Sequence, residues 1–435
     1  MTGLHAPLHG CMENGLSRRE DTVFFTDALK EAGYTTIMTG KTHFGPIPAS
    51  FDIQHIAKGE KNGNADDVFA KELSRRGYSR SSSHPNPVPE KYCLESLIVD
   101  KTIESIEAAG KQGKPFFAFC SLLSPHSPLD PPGRWMRDNI FREQIPAPRF
   151  RPGEWESLPP SLKEFCGIPN PLQKDLAYQE NLEGAQGNVA DLAGIEEIRS
   201  QNELYYRSAA YVDSLAGRLM DYLDSSGLRK NTLVIFTSDH GQQNFDHGFN
   251  DKHNYYDESL RVPFIMSLPG VLPENEKQGF VSQVDLAPTI LAAAGVACDF
   301  ANGFDLYTPL LRRTELPRHF AAASLYGSLA LVTEQWKLEH YYLDGITRLF
   351  DRLNDPGETR DLADNPDYAG VCSFLSRTLL QWRAGLADTA SLKKAAGSGG
   401  PVAMRVVNRV KADKGCNNEM MTEKILRLRD HSRML

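Results

Sequence analysis

Three apolar runs, each emptying into a loop of His, Lys and Asp, constrain this chain more than any other feature. The runs are YTTIMTG, PFFAFCSLL and TLVIFTS; the loops that follow them are GKTHFG, SPHSPLDPP and SDHGQQNFDHG. Short, β-rich runs without polar alternation read as strands buried on both faces. Helical patterns lie between them: Phe25 to Ala32, stopped by Gly33, then Leu94 to Ala109, then Glu203 to Leu223. RVPFIMSL adds a further strand and VDLAPTILAAAG a further helix. Apolar strands alternating with helices predict an α/β fold: a large, mainly parallel sheet flanked by helices. In such sheets ligands gather at the carboxyl ends of the strands, so the three polar loops are expected to form one site.

The rest of the chain divides by texture. Residues 1–312 carry the α/β pattern, broken at 139–193 by an irregular insertion with prolines at 146, 148, 152, 159, 160, 169 and 171. Residues 313–390 hold four short apolar segments, FAAASLY, LALVTE, WKLEHYY and TRLFDR, followed by a helical pattern from Val371 to Leu386. They predict a smaller antiparallel sheet with one helix packed on it. Residues 391–435 are a Gly/Ser linker and a tail; positions 401–435 hold eight Lys/Arg against four Asp/Glu. A net charge of -8 argues against a dedicated nucleic-acid binder, and no run approaches the ~20 apolar residues of a membrane span. The seven cysteines are scattered without a C-x-x-C pair and read as small core residues.

The candidate chemistry lies in the loops. Lys41 and His43 sit one residue apart in a Gly-bracketed turn, a cationic pair suited to a tetrahedral oxyanion. His126 stands between two prolines, which stiffen its loop. Asp239 and His240 follow a strand directly, where a carboxylate is placed to bind a metal, and Lys252 comes shortly after. Taken singly, each has a plainer reading: solvated loop residues, a strand-end cap, a turn aspartate. Taken together they describe an anion pocket with one metal-type carboxylate.

These loops resemble the sulfatase family of the alkaline-phosphatase-like superfamily. GYTTIMTGKTHFG is similar to its G-Y-x-T-x-x-x-G-K-W-H-x-G segment, with Thr42 where tryptophan is common, and SLLSPHSPLDPP is similar to its P-H-x-P loop. SDHGQQNFDHGFNDKHNYYDESLRVPFI resembles the run S-D-H-G, H-G, K, Y-E-E and R-V-P; VDLAPTILAAAG and RLFDRLNDPGETRDLAD resemble two later motifs. The resemblance implies a sulfuric ester hydrolase acting on a small-molecule or carbohydrate sulfate ester. By the same resemblance Asp239 is a Ca²⁺ ligand, with His240 at the adjacent ligand position. Lys41, His43, His126 and Lys252 become catalytic residues, Lys41, His126 and Lys252 of them on the sulfate. His9, His247, Tyr255 and Arg261 are expected to be structural.

The family's nucleophile is a formylglycine made from the first residue of C/S-x-P-S/A-R, just upstream of a T-G-x-x-P-x-x-H-G loop. TGLHAPLHG matches that loop, and none of the seven cysteines lies in the pattern. The expectation is therefore that the nucleophile, and a preceding strand ending in a pair of aspartates, lie upstream of Met1. Two other readings fit the same residues: a phosphonate or phosphodiester hydrolase of the superfamily, and a noncatalytic anion-binding module derived from a sulfatase.

Overall fold

The computed structural model describes residues 1–397 except 13–15, 44, 59–66, 81–85, 138–143, 150–152, 166–194, 275–278 and 326. Most of the 139–193 insertion and the 398–435 tail thus lie outside the described residues. Strand β1 (Thr35–Lys41) is central in a parallel sheet, flanked by β2 (Ile53–Ala57) on one side and β3 (Phe116–Ser121) on the other. Helix α1 (Phe25–Glu31) covers one face, where Phe25 meets Phe117 edge-on. Helix α2 (Val68–Arg75) follows β2 and is capped by Asp67, whose carboxylate accepts from the Ala70 N–H. Helix α3 (Leu94–Lys111) lies across the opposite face of the sheet from α1, with Ile106 and Ala109 against Ile37, and packs on the long helix α4 (Ile195–Ser225).

The runs TLVIFTS and RVPFIMSL form β4 (Val234–Thr237) and β5 (Phe264–Ser267), which pair antiparallel to each other. Among the described residues this pair is a separate two-stranded sheet: β4 and β3 do not touch edge to edge. PFFAFCSLL also departs from the expectation of burial, for every residue of β3 is half-exposed. The reason is geometric, since among the described residues β3 has a strand neighbour on one side only. Helix α5 (Leu286–Ala293) packs beside α1.

The C-terminal region follows the expected meander. Strands β6 (Ala321–Leu325), β7 (Ser328–Val332), β8 (Trp336–Tyr341) and β9 (Ile346–Asp351) run antiparallel in order. Helix α6 (Ala369–Gly397) places Leu375 and Leu379 against Leu331, Leu338 and Leu349. The other face of β8 carries Lys337, Glu339 and Tyr341, and by the period of a strand these polar residues should meet water. Lys337 and Glu339 are instead fully buried, because Phe249, Tyr255 and Tyr256, with Leu158 and Leu162, pack over this face of the sheet. Lys337 Nζ lies 2.7 Å from Asp257 and 2.5 Å from Glu358, while Arg352 donates to Asp257 at 2.6 Å. The 246–258 segment is pinned again at His247, which hydrogen-bonds Glu154 at 2.7 Å and stacks on Tyr256 at 3.6 Å. Tyr255 reaches across to the Ser328 hydroxyl and accepts from the Leu325 N–H. The C-terminal sheet is thereby the frame on which the Lys252 loop is set.

Candidate active site

The carboxyl ends of β1, β3 and β4 open on one cleft lined by Lys41, His43, His126, Asp239 and His240. At the end of β1, Gly40 has φ +93°, and a Cβ there would collide with the Ser121 carbonyl of β3. Only glycine keeps β1 and β3 paired to the point where Lys41 leaves the sheet. Gly241 serves β4 in the same way, since a Cβ would meet the Glu258 carbonyl.

Beyond β3 the chain turns at His126. Its Nδ1 lies 2.8 Å from the Ser127 carbonyl, which can only accept, so Nδ1 carries the hydrogen and the Nε2 lone pair faces out. The Lys252 ammonium approaches that nitrogen at 3.5 Å, from a loop 126 residues away in sequence, and lies 3.2 Å from Asp251. Burial depresses the His126 imidazole below the usual histidine range, the Ser127 carbonyl and Asp251 oppose this, and Lys41 and Lys252 reinforce it. In this state His126 accepts a proton at Nε2 and does not donate one there.

Asp239 projects into the cleft beyond β4. Desolvation by the walls would raise its carboxyl, but His240, the His240 backbone N–H and Lys41 outweigh that and hold it below the usual carboxylate range. Gln283 fixes the turn beneath it, donating to the Ser238 carbonyl at 2.8 Å and to the Asp239 carbonyl. His240 Nδ1 lies 2.8 Å from the Gly241 carbonyl, which leaves Nε2 facing the Asp239 carboxylate at 3.6 Å. With the ring neutral the two atoms face each other as ligands to a cation would; with it protonated they form the ion pair that holds Asp239 down. Calcium, however, prefers six to eight oxygens, and imidazole is a poor ligand for it. Among the described residues no third His, Cys, Asp or Glu completes a metal cage. The donor set does not fit Ca²⁺ by itself. Titrating the 435-residue chain with Ca²⁺ in a calorimeter should accordingly give weak binding at best; tight one-to-one binding would contradict this reading of the site.

The structure therefore brings together Lys41, His126, Lys252, Asp239 and His240. His43 shares the cleft but is exposed and makes no hydrogen bond or ion pair among the described residues. His247 and Tyr255 are buried supports, whereas His9 and Arg261 line the cleft. Of the two cysteines in the cleft wall, Cys120 has its thiol pushed up by burial, the opposite of an activated nucleophile. Sequence reading missed Asp251, Gln283 and the Lys337 cluster. Asp251 had a signal in its adjacency to Lys252, but nothing local marks the other two.

Strand ends that gather lysine and histidine around one carboxylate, on this topology, fit the alkaline-phosphatase-like fold. The sulfatase family profile matches residues 1–296, and the profile for the C-terminal part of N-sulphoglucosamine sulphohydrolase matches residues 245–385. The chain belongs to the sulfatase family. It is 25% identical to the multifunctional alkaline phosphatase superfamily protein PehA of Trinickia caryophylli, over 89% of this chain and 84% of that one. It is also 25% identical to an N-acetylglucosamine-6-O-sulfatase of Bacteroides thetaiotaomicron, over 85% and 74% respectively. Among solved structures, the phosphonate monoester hydrolase of Agrobacterium radiobacter superposes with a TM-score of 0.76 at 22% identity, covering 88% of this chain and 84% of that one.

Proposed function

We propose that this chain supplies the anion-binding half of a sulfate-ester hydrolase site, for a small-molecule or carbohydrate sulfate ester. The observation that carries the proposal is the meeting of Lys252 with His126, beside Lys41, on loops far apart in sequence. Lys41 and Lys252 donate to sulfuryl oxygens and neutralise the charge that builds on them as the ester bond breaks, where preorganised donors gain most. The proton for the departing alcohol is held on the Lys252 and His126 pair: Lys252 brings it to Nε2, and an anion bound alongside makes a protonated His126 favourable. Formylglycine and Ca²⁺ belong to the same proposal as the nucleophile and metal that the family uses. The sugar reading is supported by the matching N-sulphoglucosamine sulphohydrolase profile and the N-acetylglucosamine-6-O-sulfatase relative. The phosphonate reading has its own support in the phosphonate monoester hydrolase fold, since the same cations suit a phosphoryl group.

Sulfate binding to the 435-residue chain tests the anion site. Lys252→Ala should weaken it by at least about 1 kcal/mol, the scale of a charge-assisted hydrogen bond. Unchanged affinity in that variant removes Lys252 from the site. The pH dependence follows from His126. Burial holds the His126 imidazole below the ordinary histidine range, so lowering the pH through and below that range adds a cation beside the anion. Affinity should rise over that interval, and His126→Gln should flatten the rise; an equal rise in the variant would assign it to another histidine.

A further inference from the structure

We infer that the turn joining β8 to β9 carries a second subsite of the cleft, an apolar platform made by Leu343 with Leu325 beside it. It takes the uncharged aliphatic part of a sulfate ester whose anionic end lies on Lys41 and Lys252. The inference rests on the anion reading of the cleft and adds the chemistry of the other half of the ligand. A lone exposed leucine is ordinary. Leu343, which is 59% exposed, is instead held in place by its neighbours on every printed contact of its turn. The Tyr342 N–H donates to the Gly327 carbonyl and the Gly327 N–H donates to the Tyr342 hydroxyl, which ties the β8–β9 turn to the β6–β7 turn. Leu343 packs down on Gly327, where φ is +76° and a Cβ would strike its side chain. Asp344 accepts from the N–H and the hydroxyl of Ser161. Leu325, at the end of β6, is fixed to the Lys252 loop, since its N–H donates to the hydroxyl of Tyr255, three residues beyond Lys252. Both leucines line the cleft that Lys41 and His126 line, so platform and anion site are walls of one space.

The polar groups around the platform already have partners. Asp344 is engaged by Ser161, the Tyr342 hydroxyl by Gly327, and the Tyr255 hydroxyl by Leu325 and Ser328. A sugar laid on the two leucines would exchange hydroxyl–water bonds for apolar contact, which is unfavourable; an alkyl chain makes no such exchange. Charge then sets the orientation. Asp344 stands beside the platform, and Glu164, three residues after Ser161 in the short helix Pro160–Phe165, lines the cleft with it. Two acidic residues turn an anionic group away from this wall, while Lys41 and Lys252 attract one to the other. A ligand with one sulfate and a neutral apolar chain suits both walls, and a polysulfated one does not.

The probes are the n-alkyl sulfates from methyl to hexyl, titrated in a calorimeter into the 435-residue chain, with inorganic sulfate and glucosamine 6-sulfate beside them. Affinity should rise by about two- to fourfold for each methylene added, the scale of burying one CH₂. Glucosamine 6-sulfate should bind no more tightly than methyl sulfate. Leu343→Ser should remove at least half of the rise along the series. Leu353→Ser, which is equally exposed at 59% but lies outside the cleft lining, should leave the series unchanged. An undiminished rise in Leu343→Ser would seat the chain elsewhere in the cleft and overturn the inference. So would a flat series in the unaltered protein, or glucosamine 6-sulfate binding as tightly as the hexyl ester. The slope is read within the series, so the two readings fail separately: sulfate binding with a flat series sinks the platform alone, and a Leu343-dependent slope without binding of inorganic sulfate sinks the anion site alone.

Discussion

Replacing Lys337 by methionine is expected to cost about 3–5 kcal/mol of folding stability, the scale for removing one partner from a buried ion cluster. Lys337 has no exposed surface and sits between Asp257 and Glu358, whose charges it separates. One ammonium cannot serve both carboxylates equally. Burial would raise Asp257, but Lys337 and Arg352 together hold it down at about 2. Burial pushes Glu358 up, with Lys337 pulling down against it and Asp257 pushing further up. A carboxyl held below its unfolded value contributes stability above that unfolded value, which is lost as pH falls through the folded one. Asp257 should therefore stabilise the native protein above roughly pH 4 and cease to do so between there and pH 2. In the methionine variant Glu358 loses the cation that pulls it down, so the deficit should shrink as the pH falls and Glu358 takes up a proton. Urea unfolding at pH 7.5 and pH 5 measures both effects. The double change Lys337→Met with Glu358→Gln should recover part of the loss, because removing the stranded charge removes its desolvation cost. A deficit under 1 kcal/mol in the single variant would mean that the cluster is hydrated.

How far the sequence could be read is clear from the same strand. WKLEHY gives β8 and its period correctly, and Trp336 and Leu338 do face α6 as alternation requires. What alternation could not say is that Lys337 and Glu339 are covered as well. That burial comes from Phe249, Tyr255 and Tyr256, with Leu158 and Leu162, packing over this face from far off in sequence, with no local signature. The apolar run of β3 shows the converse. Its composition predicts a strand buried on both faces, yet among the described residues β3 pairs on one side alone and is half-exposed. The site itself was more legible, because glycine, proline and strand-end position act locally. Gly40 forces the exit of Lys41, the prolines isolate His126, and the end of β4 presents Asp239. The tautomer of His126 was not legible, since it depends on the Ser127 carbonyl being within reach.

The largest difference is expected in turnover. As the 435-residue chain, the protein should hydrolyse an aryl sulfate no faster than buffer does, since no cysteine lies in C-x-P-S/A-R and Cys120, in the cleft wall, is held as a thiol. Fused ahead of Thr2 to an apolar strand that ends in two aspartates and continues into C-x-P-S-R, it should turn over the ester. The assay includes Ca²⁺, with expression alongside a formylglycine-generating system. The chain already holds Lys41 and Lys252 in place beside His126, and preorganisation is the costly part of such a site. Lys252→Ala in the fused chain should therefore lower kcat by roughly 10²-fold or more, the usual effect of removing one such donor. Comparing sulfate with phosphonate monoesters then decides between the two hydrolytic readings. A sulfate monoester and a phosphonate monoester each carry one negative charge, so the ratio of kcat/KM on the two esters, and not the size of the Lys252 effect, separates them. A fused chain that folds, binds sulfate and turns over neither ester would leave anion binding as the function of this cleft.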